Sequence, residues 1–479
     1  MIKIAVVHYH LEPGGVTRVI ENTVESFELA EDSVQFVVLS GRSYTGCVLK
    51  NVQLVEGLDY ASREDSIDPS KLLDNLEVAA IEGLGSRPDI WHIHNHTLGK
   101  NPSLTLACSL LAEKSYPILF HLHDFAEDGR PSSFHQLEKV YAKAYPSSPN
   151  IFYALLNHRD LNFVQKLFPG QKNKLHLLAN AVPAQSSFLK PNKKKANLPK
   201  NFFLYPVRAV RRKNLGELAL ISSVHKDKFF ANSLGPTNPN YRDRFNRWKI
   251  FSKENNLSVY FGYGEDSTIE FSDLMASCEG IISTSIAEGF GLGFLEPWTF
   301  KKCLYGRNIN EITKDFARLG VQLDHLYDRI NIDINHLKNK SFLRDKIRNS
   351  LKQIYKEYKR EMVPNADELA YNSIVINKCL DFGRVDELTQ EEIINSVCRS
   401  ASSVTEIKDQ IDLELSDHLR IDQNCTSVIQ NFSLKAYTHK LNEIYSLLIN
   451  EKSERVEYAD GEKLLNSFLK PERLNLLRT

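Results

Sequence analysis

The chain has 479 residues, 42% of them apolar, and its 60 basic and 60 acidic residues cancel. This length exceeds what one hydrophobic core usually serves, so we expect two domains with room for a third small unit. The balanced charge provides no basic surface for nucleic acid. Seven scattered cysteines exclude a disulfide framework, and the sequence shows neither a signal-peptide cleavage site nor an apolar stretch of membrane-spanning length. We therefore predict a cytoplasmic protein without an integral membrane segment.

The first predicted element is a strand that is buried on both faces. Residues 2–7 form a continuous apolar run, which is typical of a strand inside a parallel sheet. Gly14 and Gly15 follow, and the next apolar positions share one helical face: Val16, Val19, Ile20, Thr23 and Phe27. This order aims the glycine amides at the carboxyl ends of the strands, where open α/β sheets bind ligands. A simple turn without a ligand is the alternative.

Histidines repeat at the ends of three predicted strands. Further buried strands are predicted at residues 34–39, 89–94, 117–123, 151–156 and 175–178. The repeats are His8 and His10, then His92, His94 and His96, then His121 and His123. Such histidines can bind a metal or line a polar crevice. No cysteine or carboxylate joins them at ligand spacing, so we predict no metal site.

A second series of strands follows a polar segment. Residues 184–200 contain two prolines and are predicted to be a linker. A strand at residues 202–207 then leads directly into Arg208 and Lys213, five positions apart. Two cations on such a loop can bind an anion. Other basic residues lie between them, and a basic loop that faces solvent is the alternative.

The most informative stretch is residues 283–298, Ser-Thr-Ser-Ile-Ala-Glu-Gly-Phe-Gly-Leu-Gly-Phe-Leu-Glu-Pro-Trp. A short apolar run precedes it, so we predict a strand, a glycine loop and a helix. Gly289, Gly291 and Gly293 allow positive φ and close approach of the backbone to an anion. The helix N-terminus is expected to offer its unpaired amides and its dipole to a phosphate.

Two carboxylates flank this glycine loop. Glu288 precedes it, and Glu296 lies eight residues further on. Carboxylates accept hydrogen bonds from sugar hydroxyls, so a phosphate and two sets of hydroxyls can be bound at one place. The pattern predicts a nucleotide-sugar site.

A glutamate pair with seven residues between, written around Gly-Phe-Gly-Leu, resembles the donor-site signature of retaining glycosyltransferases of family 4. The resemblance implies an α/β protein of the GT-B fold, in which two Rossmann-like, doubly wound parallel-sheet domains face a cleft and a C-terminal helix crosses back. It implies an acceptor-side domain at residues 1–190, a donor domain with a helical extension at 197–425, and a crossover helix with a tail at 430–479. We expect the last thirty residues to be peripheral.

The family also implies roles for individual residues. It assigns Glu288 to hydroxyls of the transferred hexose, Glu296 to the ribose, and Arg208 with Lys213 to the diphosphate. The run Phe120-His121-Leu122-His123-Asp124-Phe125 is similar to the His-Asp-Phe segment of the family. His123 is therefore expected to reach the transferred sugar. Phosphate or sugar oxygens are expected to meet backbone groups of Gly14, Gly15, Gly289, Phe290, Gly291 and Leu292.

These residues predict a retaining hexosyltransferase that uses a UDP- or GDP-linked sugar as donor. We expect no metal and no cofactor, and an acceptor that is a small polar metabolite or a glycan. Three alternatives remain at this point: a glycoside hydrolase with Glu288 and Glu296 as its carboxylate pair, a nucleotide-sugar epimerase, and a non-catalytic binding scaffold. Glu127, Asp128 and Arg130 follow His123 and are expected to meet either the acceptor or solvent.

Overall fold

The computed structural model describes residues 1–30, 33–183, 202–265, 271–414 and 417–478, apart from the side chain of Ser272. The predicted linker at residues 184–200 lies outside the described residues. The chain divides into two compact units. Unit 1 comprises Met1–Pro183, Ile354–Arg360 and Asn431–Lys470, and unit 2 comprises Ala184–Gln353, Glu361–Gln430 and Pro471–Thr479.

The strands are β1 (Ile2–His8), β2 (Val34–Ser40), β3 (Val52–Leu54), β4 (Ile90–His94), β5 (Ile118–Leu122), β6 (Pro146–Ser147), β7 (Ile151–Leu155), β8 (Leu175–Leu177), β9 (Phe202–Arg208), β10 (Phe229–Leu234), β11 (Val259–Phe261), β12 (Gly280–Ser283), β13 (Leu304–Gly306), β14 (Asn331–Asp333), β15 (Val375–Ile376), β16 (Cys379–Asp381) and β17 (Glu457–Tyr458).

The α-helices are α1 (Gly15–Leu29), α2 (Pro69–Leu84), α3 (Pro102–Glu113), α4 (Pro131–Leu137), α5 (His158–Gln165), α6 (Leu215–Val224), α7 (Arg242–Glu254), α8 (Phe271–Ser277), α9 (Glu296–Thr299), α10 (Asn310–Arg318), α11 (Lys340–Glu357), α12 (Ala366–Ile374), α13 (Glu387–Val397), α14 (Ala401–Lys408), α15 (His418–Phe432), α16 (Leu434–Ile449) and α17 (Glu462–Phe468). Among the described residues, no helix combines the length and the apolar character needed to cross a bilayer.

Unit 1 is built on a seven-stranded parallel sheet with the order β3-β2-β1-β4-β5-β7-β8. Strands β4, β5 and β7 are buried at every position, which explains why their sequences are continuous apolar runs with interspersed histidines. In parallel sheets of this kind the loops after the strands gather at the carboxyl edge. The ends of β1, β4 and β5 therefore bring their histidines together.

Helix α16 belongs to the core of unit 1. Apolar and aromatic side chains recur at helical spacing along α16 and share one buried cluster with residues of β1 and α1: Tyr437, Leu441, Ile444, Tyr445 and Leu448. The hydroxyl groups of Tyr437 and Thr23 are 3.0 Å apart, which fixes the register of α16 on α1.

Unit 2 is built on a five-stranded parallel sheet with the order β11-β10-β9-β12-β13. Strands β9 and β12 are neighbours, with Ile281 beside Leu204. The loop that carries Arg208 and Lys213 and the loop that carries the glycines thus leave adjacent strands at the same edge. Unit 2 also contains a small antiparallel sheet with the order β14-β16-β15, which the sequence did not predict.

The prediction that the last thirty residues are peripheral is wrong. Leu464, Leu465 and Phe468 are buried in unit 1, and Leu477 and Arg478 are buried in unit 2. Short apolar pairs separated by charged residues gave too weak a periodic signal for this burial to be predicted.

Candidate functional site

The first group of site residues lies at the carboxyl edge of the sheet in unit 2. Lys213 ends a short 3-10 turn after β9, and Glu288 follows β12. The Nζ atom of Lys213 donates a hydrogen bond to Oε1 of Glu288, and the two side chains are 15% and 13% exposed. Two residues 75 positions apart thus form one partly buried ion pair.

The backbone around this pair is tied together by hydrogen bonds. The hydroxyl of Thr284 donates to the carbonyl oxygens of Lys213 and Asn214 at 3.0 and 3.1 Å. The amide of Ile286 donates to the carbonyl of Arg212 at 3.0 Å. The loops after β9 and β12 therefore hold each other, and Lys213 is positioned by its backbone as well as by Glu288.

The four basic positions of the β9 loop have different environments. Arg211 lies within 3.2 Å of the carboxylate of Glu387. Arg208 is exposed, its guanidinium donates only a 3.4 Å hydrogen bond to the carbonyl of Gly235, and no carboxylate of the described residues pairs with it. Arg212 is exposed, and Lys213 is paired with Glu288. The assignment of Arg208 and Lys213 to a diphosphate therefore stays a prediction.

The glycine loop differs in part from its prediction. Gly291 has φ +94°, as expected for close turns of the backbone, whereas Gly293 is not in the left-handed region. A 3-10 turn at Leu292–Phe294 follows, and α9 has only four residues. The expected helix dipole is therefore weak, because the macrodipole arises from many aligned peptide units. The prediction of a phosphate at this loop therefore depends on individual amides and not on a helix dipole.

Glu296 is the second carboxylate of the pattern. It is half-buried at the first position of α9. Burial raises the pKa of its carboxyl group, and the positive charge of Lys213 opposes that shift. No hydrogen bond to its carboxylate is made by the residues that the structure covers, so both oxygens can accept from hydroxyl groups of a ligand.

Arg478 is buried and stabilises the segment after β9, Arg211–Lys213, through its backbone. The Arg478 guanidinium donates to the carbonyl of Arg211 at 2.8 Å and to Oε1 of Gln390 at 3.3 Å, and lies 3.1 Å from Glu387. Arg211 in turn donates to the carbonyl of Leu477 at 3.0 Å. Burial lowers the pKa of Arg478 to about 10. The sequence analysis did not identify Arg478, because no local sequence pattern connects it with Arg211, which is far away in the chain.

The second group of site residues lies in unit 1. Gly14 is the extended residue that precedes α1, and it has no side chain to cap the helix. A side chain at Gly15 would meet no atom within 4 Å, so the space above this helix start is open to a ligand. The geometry agrees with a close approach of an anion to the Gly15 amide.

His123 follows β5 and is held by two residues of the neighbouring β4 segment. Its Nε2 atom is 2.8 Å from Nδ1 of His94, and its backbone amide donates to Oδ1 of Asn95 at 2.7 Å. Asn95 has φ +55°, a conformation that asparagine tolerates better than most residues. Burial lowers the pKa of His123 to about 4, so the imidazole is neutral at pH 7. Asn95 was not identified from the sequence.

Two of the three charged residues predicted to follow His123 on one loop, Glu127 and Arg130, are engaged within the protein, whereas Asp128 is exposed. Glu127 is fully buried and accepts hydrogen bonds from the hydroxyls of Tyr141 and Tyr145, each at 2.7 Å. Arg130 pairs with Asp124 at 2.5 Å. The expectation that Glu127 meets either an acceptor or solvent is therefore wrong, because the residue is part of the core of unit 1.

The histidines that precede His123 are the residues that could approach a metal. One nitrogen of each of His92, His94 and His121 lies within 4.8 Å of the other two. Both ring nitrogens of His92 are engaged: Nδ1 is 2.7 Å from the hydroxyl of Tyr445, and Nε2 is 3.2 Å from Nδ1 of His121. The buried Nε2 atoms of His94 and His121 have no hydrogen-bond partner among the described residues. Hydrogen bonds between imidazoles therefore account for only some of these nitrogens, and the absence of a metal site stays a prediction.

Comparison with known proteins identifies the architecture. No protein-family model matches the chain. The chain is 24% identical over 543 aligned residues to mannosylglucosyl-3-phosphoglycerate synthase of Petrotoga mobilis, covering 100% of this chain and 99% of that protein. Similar solved structures include sucrose-phosphate synthase from Thermosynechococcus elongatus, with TM-score 0.54, 12% identity and coverage of 94% of this chain and 99% of that one. The chain has the GT-B fold. This confirms the predicted fold class.

Two more structures agree with this fold. A glycosyltransferase from Rickettsia africae has TM-score 0.53 and 17% identity, covering 94% of this chain and 99% of that one. Anabaena HepE, solved in complex with UDP, has TM-score 0.53 and 12% identity, covering 93% and 100%. These similarities show the shared fold.

Proposed function

We propose that the protein is a retaining glycosyltransferase that moves a hexose from a nucleoside diphosphate sugar to an acceptor hydroxyl. The observation that carries the proposal is the Lys213–Glu288 ion pair at the edge of the unit 2 sheet, with the unpaired Arg208 on the same loop as Lys213. A cation for a phosphate and a carboxylate for sugar hydroxyls are in direct contact there. Hydrogen-bonded loops hold both in place.

Donor binding would redistribute the contacts of this pair. The diphosphate is met by Arg208 and Lys213, and Glu288 then accepts hydrogen bonds from hydroxyls of the hexose. Glu296, which has no partner among the described residues, accepts from the ribose. Negative charge grows on the diphosphate as the glycosidic bond breaks, and preorganised cations stabilise that charge most strongly in the transition state. Arg208 and Lys213 thus take the role that a metal has in other transferases, and we propose a metal-independent reaction.

The proposed reaction retains the configuration at the anomeric carbon. The bond from the anomeric carbon to the phosphate oxygen breaks on the same face on which the bond to the acceptor oxygen forms. The departing phosphate oxygen takes the proton of the acceptor hydroxyl, so no side chain is required as general base. His123 is assigned to the transferred sugar, where its neutral imidazole can donate or accept one hydrogen bond.

The donor base and sugar are assigned by class only, as UDP- or GDP-linked hexoses. The name of the Petrotoga relative describes a product with mannose, glucose and 3-phosphoglycerate. Similarity over the whole chain favours a small polar metabolite over a long glycan as the acceptor here. We further propose that the enzyme acts in the cytoplasm, where nucleotide sugars are available.

The test is thermal stabilisation of the purified protein by UDP, GDP and ADP and by their glucose, mannose and N-acetylglucosamine conjugates. Glu296→Gln and Lys213→Met are measured beside the wild type. A shift with one nucleotide that Lys213→Met abolishes, and that Glu296→Gln weakens, is the expected result. No shift with any nucleotide would contradict the proposal.

The remaining alternatives are separated by product analysis with the donor that binds. Conversion of the nucleotide sugar to an isomer without an acceptor would indicate an epimerase. Release of free sugar at a rate that acceptors do not change would indicate a hydrolase. Nuclear magnetic resonance of the product establishes whether the anomeric configuration is retained.

A further inference from the structure

The carboxyl edge of the unit 1 sheet carries an aromatic side chain surrounded by residues from several loops. Tyr60 lies between β3 and α2, and 42% of it is exposed. The rings of Tyr9 and His10 meet it edge-on with centroids 5.3 and 4.7 Å away. The guanidinium carbon of Arg42 is 5.8 Å from the ring centroid, and Nζ of Lys100 is 5.5 Å from it. Loops after four strands thus converge on one ring.

This arrangement is anchored by a buried asparagine. Asn101 is fully buried, and its side-chain amide donates to the carbonyls of Gly57 and Asp59 at 2.7 and 2.8 Å. The amide of Ala61 donates to the carbonyl of Lys100 at 2.8 Å. The segment that presents Tyr60 is therefore fixed against the segment that presents Lys100. A ligand would find the two side chains already in place, which lowers the entropic cost of binding.

The two cations at Tyr60 differ in their partners. Arg42 lies 2.5 Å from a carboxylate oxygen of Glu12 and 2.6 Å from one of Asp59, so its charge is balanced by two carboxylates. Lys100 is half-buried and makes no ion pair with any residue that the structure describes. A half-buried ammonium group loses part of its hydration, and an anionic ligand would restore favourable interactions.

Resting on the proposed function, we infer that Lys100 and Tyr60 form an acceptor subsite for a phosphate or carboxylate group. Lys100 pairs with the anion as a point charge, and the Tyr60 ring packs against the carbon skeleton beside it. The carboxylates of Glu12 and Asp59 lie close by and can accept hydrogen bonds from acceptor hydroxyls. The acceptor class is therefore an acidic or phosphorylated small sugar derivative, and uncharged sugars bind more weakly.

The test is isothermal titration of the full chain with 3-phosphoglycerate, glucose 6-phosphate, inorganic phosphate and uncharged glucose. A saturating nucleoside diphosphate is present, so that anions cannot occupy the diphosphate site of unit 2. The variants are Lys100→Met and Lys100→Arg, with Lys71→Met as the matched control, because Lys71 is an exposed lysine of the same unit whose nearest carboxylate is 4.0 Å away.

The expected result is that at least one of the organic anions binds at least tenfold more tightly than glucose. Lys100→Met removes this preference, Lys100→Arg keeps most of it, and Lys71→Met leaves it unchanged. Equal binding of that anion by wild type and Lys100→Met overturns the inference, as does a failure of all the anions to bind the wild type. Nucleotide affinity is measured on the same samples. If no nucleotide binds while Lys100-dependent anion binding persists, the proposed function fails and the anion site stands.

Discussion

Replacement of Arg478 by Met should weaken nucleotide binding, although Arg478 is buried and contacts the backbone of the segment that carries Lys213. The guanidinium is 3% exposed and makes two hydrogen bonds, to the carbonyl of Arg211 at 2.8 Å and to Gln390 at 3.3 Å. Hydrogen bonds to a charged group each contribute about 1.5 kcal/mol or more, so we expect the free energy of unfolding to fall by about 3 kcal/mol. Glu387 retains Arg211 and Arg244 as partners, which prevents a larger loss.

The effect on the donor follows from the position of the loop. Arg211 and Lys213 belong to one short turn. When Arg478 no longer donates to the carbonyl of Arg211, the turn is held less firmly, and Lys213 can move away from the position in which it is proposed to meet the diphosphate. We expect the Kd of the nucleoside diphosphate to rise about tenfold, which corresponds to ~1.4 kcal/mol. Isothermal titration gives the Kd, and chemical denaturation gives the stability.

Arg473 provides the matched control. It lies in the same C-terminal segment, but its guanidinium pairs with the half-exposed Glu311 at 3.3 Å. Because Glu311 is half-exposed, solvent screens this pair, so Arg473→Met should cost less stability than Arg478→Met and should leave nucleotide affinity nearly unchanged. An unaltered Kd in folded Arg478→Met would refute the anchoring role and leave Arg478 as a purely structural residue.

Three further results are expected. Glu288→Gln should tighten binding of a free nucleoside diphosphate severalfold, by ~1 kcal/mol, because Lys213 loses the carboxylate that competes with the ligand. Turnover should fall at least about a hundredfold. Titration measures the affinity, and product release measures the turnover. Asn95→Ala should lower kcat about tenfold or more through misplacement of His123, with nucleotide Kd unchanged, in steady-state assays. The free energy of unfolding should fall as the pH drops below about 6.5, the ordinary pKa of histidine. The reason is that the buried imidazoles bind protons in this range only when the protein is unfolded. Denaturation at several pH values measures how steeply the free energy of unfolding changes with pH.

Each of these results has its own control. Lys213→Met should remove the gain in nucleotide affinity that Glu288→Gln gives. A gain that persists in the double variant would contradict the idea that Glu288 competes with the nucleotide for Lys213. Asn95→Asp keeps a side-chain acceptor and should retain more activity than Asn95→Ala. The pKa values of His92 and His123 are lowered by burial to about 3 and about 4, so the loss of stability should continue down to about pH 4. Replacing His92 by Gln should make the dependence on pH less steep, and an unchanged slope would show that other groups cause it.

The parts of the fold that follow from local pattern were predicted well. Continuous apolar runs marked the central strands of the unit 1 sheet and β9 of unit 2, because burial on both faces leaves a strong signal in the sequence. Strand β10 was not predicted, since Asn232 and Ser233 interrupt its apolar run. The glycine loop and Glu288 were found through a motif whose residues are close together in the chain.

The remaining features depend on contacts between distant residues. The ion pair joins Lys213 to a residue 75 positions away, and Arg478 meets Arg211 across 267 positions. Neither periodicity nor composition reports such contacts. The left-handed backbone of Asn95 and the shortness of α9 are likewise set by tertiary packing, which overrides local propensity.

The long separation between Arg211 and Arg478 has a consequence for biosynthesis. A ribosome makes the β9 loop and the strands around it well before it makes the residue that holds this loop from behind. A chain shortened before residue 478 would contain the glycine loop and both glutamates but would lack the hydrogen bond from Arg478 to the carbonyl of Arg211. We expect such a chain to bind the proposed donor more weakly than the full chain does.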